Sequence, residues 1–102
     1  MRFTLKKDKS GVVIVGVEGQ LIVGNRQELK QKVLDALEEG SRKFIIDFSK
    51  TGYIDSSGLG VVVRAAKQAR DAGGQILLRR PTPSIRKVLE ITGLEHVFTI
   101  ID

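Results

Sequence analysis

An aspartate and two serines, Asp55-Ser56-Ser57, stand directly ahead of Gly58-Leu59-Gly60-Val61-Val62-Val63, where the pattern of the chain turns helical. A carboxylate and two hydroxyls at a helix start can do three kinds of chemistry. A serine oxygen can accept one of the orphan amides of the first turn and cap the helix. A serine beside a general base can attack a carbonyl. A serine can also accept a phosphoryl group, and the roughly −1.5 to −2 charge it gains at neutral pH then sits at a helix end that favours anions. The second chemistry is unsupported. A nucleophile elbow needs glycine two positions before the serine, whereas Ile54 and Asp55 precede Ser56 and Ser57 at that spacing. The single histidine, His96, has nothing to nominate it as a base, and the chain carries no Walker loop and no complete Gly-x-Gly-x-x-Gly fingerprint. These residues describe a site that is not an enzyme's, with no catalytic residue, and any phosphoryl donor has to arrive on a partner.

Spacing leaves open which serine caps. Asp55 can complement the helix dipole, turn the chain as an Asx motif, or orient a phosphoryl transfer. Gly58 and Gly60 are costly in the first turns of a helix, so each calls for a close approach, either of a partner or of the helix to its own strand. Arg79 and Arg80 are either solvated charge or an anion clamp. Asn25 has the place of a cap.

The composition bounds what such a site can serve. The 102 residues include no cysteine and one histidine, which removes disulfides and thiol chemistry and leaves no ligand set for a transition metal, so neither metal nor cofactor is expected. Seventeen basic against twelve acidic residues give a net charge of +5, which by itself suits a nucleic acid or another anion. The charge is scattered, however, and dense only from Arg79 to Lys87. With four phenylalanines and one tyrosine, none interleaved with those basic residues, there is no stacking platform for bases. Direct nucleic-acid binding is therefore not expected. No apolar run reaches the length of a membrane span, and the first ten residues are charged, unlike a signal peptide. The expectation is a cytoplasmic protein folded as one domain over residues 1–102, without membrane insertion.

The elements that position Asp55-Ser56-Ser57 can be read in order. Phe3 to Lys6 and Val12 to Val17 form a hairpin about Ser10-Gly11. Asn25 with Glu28 three residues later is a variant capping box, and a helix follows with Leu29, Val33, Ala36 and Leu37 as its apolar stripe, ended by Gly40. Phe44 to Phe48 reads as a strand covered on both faces. From Gly58 a second helix runs with Leu59, Val62, Val63, Ala66 and Ala69 inward, closed by Gly73-Gly74. Gln75 to Leu78 is a strand. Thr82 and Pro83 start a third helix through Ile85, Val88 and Leu89, stopped by Gly93, and Val97 to Ile101 is the last strand. The order β-β-α-β-α-β-α-β predicts an α/β fold with a mixed, mostly parallel sheet of about five strands and three helices. Function in such sheets gathers outside the carboxyl ends of the parallel strands. The Gly19 to Asn25 loop, Asp55-Ser56-Ser57 and Arg79-Arg80 are all expected on that rim.

Asp55-Ser56-Ser57-Gly58-Leu59-Gly60-Val61, with Gly19-Gln20-Leu21 upstream and Thr92-Gly93-Leu94 downstream, resembles the STAS domain of bacterial anti-sigma factor antagonists over essentially the whole chain. The resemblance implies a STAS-like fold and a partner-switching phosphoprotein. The unphosphorylated form binds an anti-sigma factor that is itself a serine kinase, which releases a sigma factor and so regulates transcription. Phosphorylation of the serine after the aspartate, here Ser56, with Ser57 as the alternative, ends the binding, and a serine phosphatase restores it. The implied partner-binding residues are Asp55, Ser57, Gly58, Leu59, Gly60, Ile22, Gly24 and Asn25. One departure is that Ile22 stands where members of the family often have an aspartate, with Gln20 in place of a glutamate. The other use of such a domain is as a scaffold subunit in a signalling complex or an accessory subunit of a membrane transporter, without phosphorylation. Oligomeric state is left open, since an amphipathic helix reads alike against its own sheet and at a dimer edge.

Overall fold

Three hydrogen bonds to one carboxylate oxygen make the first reversal of the chain: Asp8 Oδ1 accepts from Ser10 N, Ser10 Oγ and Val12 N at 2.9, 2.7 and 3.0 Å. These bonds, led by that from the Ser10 hydroxyl, hold the Asp8 carboxyl below its ordinary pKa. A computed structural model of the chain describes residues 2–22 and 24–102. The reversal at Asp8 joins β1 (Arg2–Lys7) to β2 (Val13–Leu21), which pair antiparallel. Then come α1 (Arg26–Glu38), β3 (Lys43–Asp47), β4 (Thr51–Ile54), α2 (Ser56–Asp71), β5 (Gln75–Arg79), α3 (Pro83–Thr92) and β6 (Thr99–Ile101). The α/β architecture is the expected one, and the sheet order is β1-β2-β3-β5-β6, parallel at every pairing after the first.

Register assigns the faces of the sheet. Val13 lies beside Phe44 and Val15 beside Ile46, and these in turn lie beside Ile76 and Leu78. All of them are buried with Leu29 and Val33 of α1, Val61, Val62, Ala65 and Ala69 of α2, and Ile85 and Leu89 of α3. Each such aliphatic side chain withdrawn from water contributes about 1.5–3 kcal/mol before ordering costs are set against it. The alternate residues Ile14, Ile45 and Leu77 are only half-buried. The expectation that β3 is covered on both faces is therefore corrected: its apolar character on both parities reflects one enclosed face and one half-open face.

Several boundaries also differ from the pattern reading, β3 running from Lys43 to Asp47 and β5 on to Arg79. β2 runs on to Leu21, because its far half pairs with β4, a four-residue strand that the pattern did not mark. Gly52 and the exposed Tyr53 hide β4 in the sequence; what makes it a strand is β2 beside it. The last strand starts at Thr99, not Val97, since Leu94–His96 forms a 3-10 turn whose end is closed by Phe98 N donating to Leu94 O at 3.0 Å. Helix α2 starts at Ser56, not Gly58, and its buried stripe is Gly58, Val61, Val62, Ala65 and Ala69, so that Val63 is exposed. Small residues face the sheet because the helix packs close to it.

Candidate functional site

Leu21, the last residue of β2, is the point on which the site is built. Its carbonyl accepts from Asp55 N at 3.1 Å, which extends the β2–β4 pairing by one residue and delivers Asp55 in extended conformation to the start of α2. Asp55 Oδ1 then accepts from Gly58 N and from the Ser57 hydroxyl, each at 2.7 Å. The cap of α2 is therefore Asp55, and neither serine caps. A carboxylate satisfies the orphan amide as well as a hydroxyl does, and its charge is favoured by the helix dipole. This division leaves the two serines unlike one another. Ser57 is half-buried and held by Asp55, whereas Ser56 is exposed and no hydrogen bond holds its hydroxyl among the described residues.

The two glycines also differ. A side-chain carbon on Gly58 would collide with the Leu21 carbonyl oxygen and stand 2.9 Å from the Leu21 carbonyl carbon, so Gly58 is what lets α2 begin against β2. Gly60 meets no backbone. A carbon built there would instead stand 3.3 Å from a guanidinium nitrogen of Arg64, whose side chain lies back over it. Leu59 is half-buried against the core. Ser56, Gly60, Val63, Arg64 and Lys67 share the outer face of α2 by helical spacing.

The loop after β2 leaves from Leu21, against which Gly58 packs. Asn25 does not cap α1: its Oδ1 accepts from Ile22 N and its Nδ2 donates to Gln20 O, both at 2.9 Å, so the side chain turns back to hold its own loop. The expected capping box is thus replaced by a loop clamp. Ile22 is half-buried and Gly24 exposed. Leu21 joins the clamp to the cap of α2: the clamp bonds the residues before and after it, and its carbonyl receives the amide of Asp55.

Arg79 does not join them. Its Nε and Nη2 donate to Asp47 Oδ2 at 2.9 and 2.6 Å, across neighbouring strands β5 and β3 on the half-open face of the sheet. Burial alone raises the Asp47 carboxyl, but hydrogen bonds from Ser49 and the Arg79 pairing outweigh it, and the pKa lies below the ordinary value. Arg80 is exposed with φ of 49°, a left-handed residue just before Pro81, and its amide donates to Ile101 O at 2.9 Å. Of the two readings of these arginines, solvated charge fits the exposed Arg80, while Arg79 is committed to Asp47 and forms no anion clamp beside the hydroxyl pair. His96 is exposed, with Nε2 3.5 Å from Glu95 Oε1.

Two threonines fix β4: Thr51, which pattern reading missed, and Thr82, read from the pattern only as the cap of α3. Thr51 is fully buried and its hydroxyl donates to Val17 O at 2.6 Å, while Thr82 Oγ1 donates to Thr51 O at 2.7 Å and accepts from Ile85 N at 3.4 Å. The cap of α3 is thereby tied to the strand that carries Asp55. The only signal available in sequence was the cap pattern Thr82-Pro83. Among the described residues no cluster of histidine, aspartate or glutamate could hold a metal ion, and no helix is long and apolar enough to cross a membrane.

Comparison with known proteins gives one family. The model of the STAS domain matches residues 4–102. The Bordetella bronchiseptica protein BtrV, provisionally named an anti-sigma factor antagonist, is 31% identical over 100 residues, covering 98% of this chain and 85% of its own. The crystal structure of TM1081 from Thermotoga maritima, with the same provisional name, is 32% identical with a TM-score of 0.89, over 98% of this chain and 86% of that one. The anti-sigma factor antagonist SpoIIAA of Bacillus is 25% identical. It superposes with TM-scores of 0.84 unphosphorylated and 0.77 phosphorylated, over 97% of this chain and 87% and 90% of those chains.

Proposed function

Since the chain belongs to the STAS domain family, we propose that it works as an anti-sigma factor antagonist, a binding module rather than an enzyme, switched by phosphorylation of Ser56. One observation carries the choice of residue: Asp55 caps α2 and holds Ser57, while the Ser56 hydroxyl stands exposed and unheld at the first residue of the helix. The partner is an anti-sigma factor serine kinase that brings its own nucleoside triphosphate. Ser56 Oγ forms the new bond to the γ-phosphorus, the bond to the nucleoside diphosphate breaks, and the hydroxyl proton leaves to a base on the kinase. A serine phosphatase reverses the modification by hydrolysis.

The unmodified surface that meets the kinase comprises Ser56, Gly60 with the Arg64 guanidinium laid over it, and the loop at Ile22, Gly24 and Asn25, with Asp55, Ser57, Gly58 and Leu59 holding it in shape. Ile22 makes this edge apolar where family members often carry a carboxylate. Adding a phosphoryl group costs the fold little, because Ser56 is exposed and a helix start favours an anion by about 0.3–1 kcal/mol. At an interface the same charge costs several kcal/mol in desolvation and repulsion, and each ~1.4 kcal/mol is tenfold in affinity. The contact therefore switches while the protein stays folded. SpoIIAA, a relative, is known in both an unphosphorylated and a phosphorylated form.

Mass spectrometry with site mapping, on protein isolated from its native cells under phosphatase inhibition, is the test. Phosphate on Ser56 is expected. Phosphate on Ser57 alone would move the switch to the held serine, and its absence from both across growth and stress conditions would overturn the reading.

A further inference from the structure

Ser56, Gly60 and Arg64 lie at four-residue intervals on the outer face of α2, each directly above the last. Long side chains on a helix lean toward its N-terminus, and Arg64 does so fully. Its guanidinium lies over Gly60, with the two terminal nitrogens 3.3 and 3.7 Å and the central carbon 3.8 Å from where a Gly60 side-chain carbon would be. The arginine fills the space of the side chain that Gly60 lacks. Glycine is among the least favourable residues inside a helix, and the exposed Arg64 is left uncommitted, with no carboxylate paired to it among the described residues.

From Gly60 the next position toward the helix start on this face is Ser56, with Cβ positions about 5–6 Å apart for such a pair. A phosphoryl group on Ser56 Oγ turned toward Gly60 spans part of that interval, and the long Arg64 side chain, whose guanidinium is 3.3 Å from where a Gly60 side-chain carbon would be, can close the rest. We propose that Arg64 is the residue that holds the phosphoryl group of phosphorylated Ser56, by a charge-assisted pair laid across Gly60. The inference rests on the reading of Ser56 as the phosphate acceptor. Arginine suits the role because its planar fork can present two N–H groups to one phosphate, which the point charge of lysine cannot. The guanidinium already lies over Gly60 in the unmodified chain, and the pair fixes it there, so phosphorylation locks the arginine onto the contact surface as well as charging that surface. Lys67, one turn further on, adds charge to this face and no contact.

The test uses the full chain with phosphoserine installed at position 56 during translation, so that no kinase is needed, and follows the phosphate by 31P NMR titration. The second ionisation, ordinarily near about pH 6, is expected to fall lower in the otherwise unaltered chain. It should rise by roughly half a pH unit in Arg64→Gln, which is the size of an exposed ion pair read as a titration. Lys67→Gln removes the same charge and should move it less than half as far, while Gly60→Ala, which crowds the guanidinium, should fall between. All three positions face solvent or a flexible side chain, so the variants keep the fold. Equal shifts in Arg64→Gln and Lys67→Gln, or none in either, would overturn the assignment of Arg64. That failure is distinct from failure of the phosphorylation reading, which is decided by the cellular site mapping and does not enter a titration of installed phosphate.

Discussion

The Ser57 hydroxyl and the Gly58 amide meet on one oxygen of Asp55, each at 2.7 Å. The same carboxylate therefore caps α2 and withdraws one of two adjacent serines from chemistry. Ser57→Ala is expected to cost about 0.5–1.5 kcal/mol, the net worth of a hydrogen bond, and Ser56→Ala less than about 0.5 kcal/mol, as for an exposed surface change. Urea denaturation of the two variants measures both. A larger loss at Ser56 would reverse the assignment of held and free hydroxyl.

Asp55→Ala removes the acceptor for both groups. The expected loss is about 1–2 kcal/mol, the upper range for a helix cap, read as a drop of roughly 4–8 °C in Tm per kcal/mol for a chain of this size. Asp55→Ser should recover part of it, since serine can cap but cannot also hold the Ser57 hydroxyl in the same way.

Gly58→Ala and Gly60→Ala separate packing from contact. At position 58 the new methyl group meets the Leu21 carbonyl, and overpacking there is expected to cost about 1–3 kcal/mol. At position 60 it meets only the end of the Arg64 side chain, and the gain in helix propensity, up to ~1 kcal/mol, should leave the protein as stable or more so. Gly60→Ala should nevertheless weaken kinase binding, measured by titration calorimetry, because it displaces the Arg64 guanidinium that lies over the contact face.

Ser56→Asp places a permanent charge at the switch. Stability should change by less than about 1 kcal/mol, while affinity for the kinase falls tenfold or more, which takes only ~1.4 kcal/mol. Unfolding of Ser56→Asp to the same extent as its loss of binding would refute the idea of a surface that switches on a constant fold.

Asp47 gives the fold an acid limit. Its carboxyl pKa is lowered in the folded protein, against the effect of burial, by Ser49 and Arg79. A lowered folded pKa means that the ionised form stabilises the fold above the unfolded value of about 3.9, and that this contribution is lost as pH falls through the folded value. Asp47→Asn should therefore be less stable at neutral pH and lose less on acidification below about pH 4, as followed by circular dichroism.

Periodicity alone was enough for the helices and for most of the sheet. Leu29, Val33 and Ala36 recur at helical spacing and are buried, and Thr82-Pro83 and Gly93 bound α3 where capping chemistry puts its ends. These are local signals, legible because backbone geometry within a few residues produces them. The motif at Asp55 to Gly60 was legible for the same reason, as an acid and hydroxyls at a helix start. Strand β4 was not, since nothing in Thr51-Gly52-Tyr53-Ile54 alternates; its conformation comes from β2 alongside. The phase of α2 was read one position off, because Val61, Val62 and Val63 are all apolar and only the depth of the sheet chooses among them.

The amino-acid sequence by itself determined the α/β order apart from β4, the start of α2 to within two residues, and the presence of a carboxylate and two hydroxyls there. Only the tertiary structure decided which group does what. Asp55 becomes the cap because Leu21 O receives its amide and fixes it in extended conformation. Asn25 has the spacing of a cap but spends its side chain on Ile22 and Gln20, and Arg79 has the position of an anion clamp but is taken by Asp47 from a strand 32 residues away. A polar side chain has several partners within reach of its spacing, and the one it binds is set by which backbone the fold brings beside it.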